Sequence, residues 1–254
     1  MSDERFDLDE VASWLRAAQG IVILTGAGIS TESGIPDFRG PQGVWTKNPD
    51  AEKAATLQHY VSDPEVRIRS WQLRLTSGMW DAEPNAGHRA LADLQGRAPL
   101  HLLVTQNVDG LHHAAGNDPD RIVEIHGNVR EVTCLSCRWR GPMAETLERV
   151  RAGEADPACR SCGGILKSST ISFGENLVAT DLDRARRASA GCDVFLALGT
   201  SLTVFPVAQL PEYARANRAR LVVVNAQPTP FDDAAAAVSR QQLGSLLPAL
   251  VAAV

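Results

Sequence analysis

Ile21-Val-Ile-Leu-Thr25-Gly26-Ala-Gly28-Ile-Ser30 reads as a buried strand running into a glycine turn. Its first five residues form a continuous, largely β-branched apolar run of the kind covered on both faces in a parallel sheet. The two glycines permit a tight turn and close approach of backbone N–H groups to a pyrophosphate. Working outward, similar runs recur at Leu100–Val104, Val194–Leu198 and Leu221–Val224. Segments 64–80, 85–95, 180–190 and 206–219 carry apolar residues at three- and four-residue intervals. An amphipathic helix over 7–19 precedes the first strand and stops at Gly20, and a helix over 243–253 closes the chain. This alternation predicts an α/β fold, a Rossmann-like doubly wound parallel sheet.

In such a sheet ligands lie beyond the carboxyl ends of the strands, so the residues just after each run are the candidates for chemistry. They are Gly26-Ala27-Gly28 with Thr31, then Gln106-Asn107-Val108-Asp109, Gly199-Thr200-Ser201, and Asn225. A G-x-G-x-x-G fingerprint is incomplete, because Thr31 stands where the third glycine would be and no acidic residue closes a second strand about 20 residues on. The glycine turn alone fits a plain connector as well as a ligand site; four polar strand ends together favour a dinucleotide. Gly34-Ile-Pro-Asp37-Phe38-Arg39-Gly-Pro-Gln-Gly43 cannot be helical. It reads as a loop folding over a ligand, Phe38 offering an apolar face and Arg39 a charge for phosphate, or as an ordered surface loop with an Asp-Arg pair. His126 follows the strand-like Arg121–Ile125 and fits either a general base or a hydrogen-bonded structural histidine. His88, His112 and His113 sit in helical contexts and are weaker candidates.

Cys134 and Cys137, then Cys159 and Cys162, form two C-x-x-C knuckles. Two thiolates from each turn can converge on one tetrahedral ion, and zinc is the expected metal. Four sulfur ligands leave no open position, so its role is structural. From about 127 to 174 the text is short, polar and rich in Cys and Gly, which suggests a small lobe inserted into the α/β body. Cys192 reads as a buried core thiol. The 254 residues carry 25 Lys and Arg against 30 Asp and Glu, a net charge of -5 that offers no basic field for a phosphate backbone, so nucleic acid is not an expected partner. No signal peptide or membrane-length apolar run is present, so the expectation is a cytoplasmic protein with no membrane partner.

These residues resemble the sirtuins, NAD-dependent protein deacylases. The matching motifs, in order, are Gly26–Ser30, Gly34–Arg39, Pro84-Asn-Ala-Gly-His88, Gln106–Asp109, His126-Gly127, the two cysteine pairs, Phe173-Gly-Glu175, Gly199–Ser201 and Asn225. The resemblance implies NAD as co-substrate and proteins bearing acylated lysine as substrates. It implies a Rossmann-like NAD-binding domain over 1–126 and 175–254, a zinc lobe over 127–174, and a helical part of that lobe within 40–85. It further implies that the acyl oxygen attacks the nicotinamide-bearing ribose carbon, nicotinamide leaves, and the histidine matching His126 deprotonates a ribose hydroxyl. The attack yields an alkylimidate, and water resolves it to free lysine and an acyl-ADP-ribose. By the same carry-over Ala27, Thr31, Asp37, Phe38 and Arg39 belong to the phosphate and nicotinamide-ribose side. Gln106 and the catalytic Asn107 match residues at the ribose, and Val108 and Asp109 those gripping the carboxamide. Thr200, Ser201, Asn225 and Leu243 match the adenosine side. Phe173 and Val204 flank the acyl-lysine channel.

Relatives that prefer succinyl or malonyl groups carry a Tyr-x-x-Arg pair on the helix before Pro-Asn-Ala-Gly-His, and the alignment places Trp71 and Arg74 there. Arg74 could pair with a distal carboxylate and Trp71 could donate its indole N–H, or the two are a buried Trp and a solvated Arg on an ordinary helix. The expected activity is therefore deacylation with acetyl as the default. Three alternatives stay open: a desuccinylase or demalonylase preference, protein mono-ADP-ribosyl transfer, and a non-catalytic NAD-sensing scaffold.

Overall fold

A computed structural model describes residues 5–37, 40, 43–47 and 55–254. The first apolar run is β1 (Ile21–Thr25), buried at every position. It pairs in parallel with β2 (Leu100–Thr105) on one side and β7 (Val194–Leu198) on the other. With β3 (Ile122–Glu124), β8 (Arg220–Val224) and β9 (Ala237–Ser239), these strands form one six-stranded parallel sheet in the order β3-β2-β1-β7-β8-β9. The predicted doubly wound sheet is thus present, with its reversal of strand order between β1 and β7. β9 was not foreseen, because three residues at a sheet edge carry too little periodicity to be read.

Alternation along β1 feeds two cores. Ile21 and Ile23 pack with Val11 and Leu15 of the helix Leu8–Ala17, Leu91 and Leu94 of the helix Ala86–Arg97, and Leu246 and Leu250 of the helix Leu243–Ala252. Val22 and Leu24 pack on the opposite face with Ala185 of the helix Ala179–Ala190 and with Leu210 and Ala214 of the helix Leu210–Ala216. Residue-by-residue alternation between two covered faces is why the strands read as continuous apolar runs.

A second, antiparallel sheet of β5 (Arg140–Pro142), β4 (Gly127–Cys134) and β6 (Leu166–Thr170) stands beside the first. Its core joins Val132, Cys134 and Leu166 to Met143, Leu147 and Val150 of the helix Met143–Arg151, which the polar reading of this stretch did not anticipate. Trp71, on the helix Pro64–Leu75, fills the same core. Alternation alone counts 64–80 among the helices of the parallel sheet, whereas the resemblance puts a helical part of the small lobe within 40–85; Trp71 of this helix packs in the core of the small sheet. Periodicity tells a helix that it has a partner, not which partner. Among the described residues no helix is long and apolar enough to cross a membrane.

Candidate active site

The first glycine turn is shaped by its neighbour strand. A Cβ on Gly26 would lie 2.6 Å from the Gly199 carbonyl oxygen, and one on Gly28 2.7 Å from Gly199 Cα. Gly199, with φ +61, closes on the Gly28–Ile29 backbone in return. The Gly28 N–H donates to the Gly199 carbonyl at 2.9 Å, so this amide, expected to face a pyrophosphate, is spent on joining two strand ends. The chain continues as 3-10 turns over Ala27–Ile29 and Thr31–Ser33 rather than as an α-helix. A third glycine serves close helix-to-strand packing, so Thr31 is tolerated where no such helix follows. Its hydroxyl donates to the Gly28 carbonyl at 3.0 Å.

Behind this turn lies a buried polar network. Ser30 Oγ donates to Asp109 Oδ2 at 2.7 Å and accepts from Asn107 Nδ2 at 3.0 Å. Asn107 Nδ2 also donates to the Gly26 carbonyl at 3.0 Å. Asn85 caps the helix Ala86–Arg97 by accepting from the Gly87 and His88 N–H groups, and its own N–H faces His88 Nδ1 at 3.4 Å. The His88 proton is thereby assigned to Nε2, which lies 3.5 Å from Ser30 Oγ. His112 contacts Thr25 Oγ1 through Nε2 at 2.9 Å and meets the His88 ring edge-on at 4.9 Å. Two of the three histidines set aside as helical, His88 and His112, therefore sit under the candidate site, while His113 is exposed and faces Glu124 at 3.8 Å. Nothing in the local sequence signals this, because Thr25, Ser30, His88, Asp109 and His112 meet only through the sheet.

Burial pulls His88 down to about 4, against the opposing pull of Asp109, and holds His112 well below its ordinary value. A histidine whose folded pKa is depressed favours the neutral state, so the unfolded chain gains protons first on acidification. Its stabilising contribution is complete above about 6.5 and is lost as the pH falls toward 4. For His88 alone the difference between pH 7 and pH 5 is on the order of 2 kcal/mol. Urea unfolding at both values should show this loss in the wild type and a smaller one in His88→Asn. Equal pH slopes for the two proteins would mean that His88 does not carry it.

His126, half-buried at the end of β3, directs Nδ1 to the Gln106 carbonyl at 3.1 Å. That bond places the proton on Nδ1 and leaves Nε2 with its lone pair. Burial lowers its pKa, with the Gln106 carbonyl pulling the other way, so the ring is neutral at pH 7. Gln106 Nε2 reaches Thr200 Oγ1 at 2.7 Å, linking the ends of β2 and β7. Val108 receives the Val129 N–H through its carbonyl at 3.0 Å. Ser201 Oγ bonds Thr203 Oγ1 at 2.8 Å, and Asn225 Nδ2 donates to the Gln227 carbonyl at 2.8 Å. Asp37 accepts from the Gly40 N–H at 3.0 Å, while Phe38 and Arg39 lie outside the described residues. Leu243 is buried in the apolar core beside Ile29 and is not part of the polar cluster.

On the other side, Phe173 is partly exposed and its backbone pairs with Ala55 and Leu57 at 2.9 and 3.0 Å; Val204 is half-buried in an irregular segment. Trp71 and Arg74 are deep in the small lobe. Arg74 bonds the Ser70 carbonyl and hydroxyl, reaches Ser168 Oγ at 2.9 Å and stacks on the Trp71 ring at 5.7 Å. The solvated arginine of one expectation is thus not observed. Trp71 Nε1 and Arg74 Nε have no partner among the described residues.

The two knuckles face each other at the ends of β4 and β6, and all four Sγ atoms lie within 4.8 Å of one another. Cys134 and Cys162 are 3.5 Å apart, Cys137 and Cys159 3.8 Å. A tetrahedral ion with Zn–S bonds of about 2.3 Å separates its sulfurs by about 3.8 Å, so the residues fit one zinc. N–H groups of Cys137 and Gly164 point at Cys134 and Cys162 sulfur, as thiolate ligands require.

A profile of the Sir2 family matches residues 26–206. A Streptomyces coelicolor protein named NAD-dependent protein deacetylase 2 is 52% identical over 231 residues, 91% of this chain and 96% of that protein. A Haloarcula marismortui NAD-dependent protein deacetylase is 41% identical over 250 residues, covering 96% and 93% of the two chains. Among solved structures, Sir2 with a deacetylated p53 peptide and 3'-O-acetyl ADP-ribose superposes with a TM-score of 0.89 at 32% identity, over 97% of this chain and 98% of that one. Sir2 with a p53 peptide and NAD+ gives 0.85 at 32% identity, over 96% of both. With its glycine turn, its neutral histidine at a strand end and its four-cysteine cluster in that same order along the sequence, the chain belongs to the Sir2 family.

Proposed function

We propose that this protein is an NAD-dependent protein-lysine deacylase that moves an acyl group, acetyl by default, from lysine to ADP-ribose with release of nicotinamide. The observation that carries the reading is His126, a neutral imidazole whose Nδ1 is committed to the Gln106 carbonyl and whose Nε2 keeps its lone pair. Mere NAD sensing needs no such base. When bound, NAD supplies a ribose carbon that gives up nicotinamide and takes the acyl oxygen. His126 is assigned to accept the proton of a ribose hydroxyl at Nε2. Asn107 has both amide hydrogens engaged by Gly26 and Ser30, which leaves its carbonyl oxygen to accept from a ribose hydroxyl. Gln106 joins it at the ribose, and Val108 and Asp109 are assigned to the carboxamide. Gly26, Ala27, Gly28, Thr31, Asp37, Phe38 and Arg39 are assigned to the phosphates and the reacting ribose. Gly199, Thr200, Ser201, Asn225 and Leu243 take the adenosine side, and Phe173 and Val204 the acyl-lysine. The zinc holds the small lobe and takes no part in the chemistry.

A second reading concerns the acyl group. Two buried donors, Trp71 Nε1 and Arg74 Nε, have no partner among the described residues, and a succinyl or malonyl carboxylate is an acceptor of the kind they lack. Acetyl remains the primary reading because the Arg74 Nη atoms are already held by Ser70 and Ser168. Mass spectrometry of acetyl- and succinyl-lysine peptides incubated with and without NAD tests both. Acetyl loss that requires NAD and yields acetyl-ADP-ribose is expected, with acetyl turned over at least about 10-fold faster than succinyl. No NAD-dependent acyl loss from either peptide would overturn the deacylase reading. Succinyl turnover that matches acetyl turnover and collapses in Arg74→Ala would put the acidic-acyl reading first.

A further inference from the structure

Lys167 is a charged residue on β6 that the chemistry above does not use, and its side chain is only 2% exposed. Its ammonium contacts Glu175 Oε2 at 2.8 Å, the Ser168 carbonyl at 3.2 Å, Ser172 Oγ at 3.3 Å and the Thr170 carbonyl. Glu175 Oε2 also accepts from the Ser172 N–H at 2.7 Å, and the Glu175 N–H returns to the Ser172 carbonyl at 3.0 Å. Residues 171–175 are thus tied at one end to Lys167. At the other, the Ile171 N–H donates to the His126 carbonyl at 2.8 Å, and between them Phe173 pairs with Ala55 and Leu57. Gly174, with φ +88, makes the turn that brings Glu175 back over Lys167.

A buried ion pair of this kind adds little net stability, since desolvation offsets its attraction, so its value lies in fixing a geometry. Glu175 closes the segment that carries Phe173, Lys167 stands on the strand that leads into it, and neither side chain bonds the glycine turn or the ends of β7 and β8. We infer that Lys167 and Glu175 are positioning residues that hold segment 171–175 against His126 and so set affinity for the acylated peptide without setting affinity for NAD. This rests on the deacylase reading. Burial lowers the Lys167 pKa while Glu175 opposes the shift, which agrees with an ammonium that depends on its partner.

Steady-state kinetics with an acetyl-lysine peptide on the zinc-loaded wild type, Lys167→Met, Lys167→Arg and Glu175→Gln tests the inference, alongside anisotropy of a fluorescent acetyl-lysine peptide without turnover. Lys167→Met and Glu175→Gln should raise the peptide KM and Kd about 10-fold, with kcat and the KM for NAD within about 3-fold, and Lys167→Arg should restore most of the loss. Glu175→Gln removes no buried bulk and decides the matter if Lys167→Met does not fold. An unchanged peptide KM, or a parallel loss of kcat and both KM values with no rescue by arginine, would overturn the positioning role. An inactive wild type refutes the deacylase reading itself, whereas an active wild type with indifferent variants refutes only this inference.

Discussion

His126→Ala should lower NAD-dependent deacetylation by about 10²–10⁴-fold, the usual contribution of a positioned general base. The fold should survive. The contact His126 makes with the small lobe runs through its carbonyl, which accepts the Ile171 N–H, and alanine keeps that carbonyl. What the variant loses is the imidazole held by Gln106, hence the lone pair on Nε2. Zinc content and melting temperature should match the wild type, and NAD affinity should change by less than about 3-fold, because the ends of β1, β7 and β8 are untouched. A further check follows from the depressed His126 pKa: the acid limb of the wild-type kcat/KM profile should have its midpoint below 6.5, the ordinary histidine value. A variant that retains more than a tenth of wild-type turnover would remove His126 from the role of base.

The second large effect is expected at the cysteine cluster. Cys134 is fully buried and shares its core with Trp71, Val132, Met143 and Leu166, so metal and apolar packing stabilise the same small sheet. Structural zinc binds such sets with an apparent free energy of about 10–16 kcal/mol, far more than this small core can replace. Cys134→Ser, or treatment with a strong chelator, should release one zinc per chain and open 127–174 to proteolysis. Activity should vanish in parallel, since β4 begins at Gly127 next to His126 and β6 leads into segment 171–175. The six-stranded sheet should persist, because its two cores contain none of the four cysteines. A Cys134→Ser protein that keeps its zinc and its turnover would show that the cluster is not a metal site. The contrast separates the two substitutions: one removes chemistry from an intact fold, the other removes part of the fold.

The parallel sheet was legible because its strands are covered on both faces. β1, β2, β7 and β8 are therefore apolar at nearly every position, with His101 and Arg220 as exposed exceptions, and such a run is visible without any knowledge of partners. The knuckles were legible because metal ligands impose their own spacing. The strand ends were legible as a class, since topology alone places ligands there. By itself, then, the sequence determined the fold class, the four-cysteine cluster and the motif order that marks the family.

Only the tertiary structure decided what depends on contacts between distant residues. It spent the Gly28 N–H on Gly199 rather than leaving it to face a ligand, and it gathered Thr25, Ser30, His88, Asp109 and His112 into one buried network. It turned the helix Pro64–Leu75 onto the small sheet, burying Trp71 and Arg74 in that lobe, and it brought Lys167 beneath Glu175. The physical reason is the same in each case. A hydrogen bond or an ion pair between residues far apart in the chain leaves no periodicity in the sequence, because its geometry exists only after the strands have set the distances.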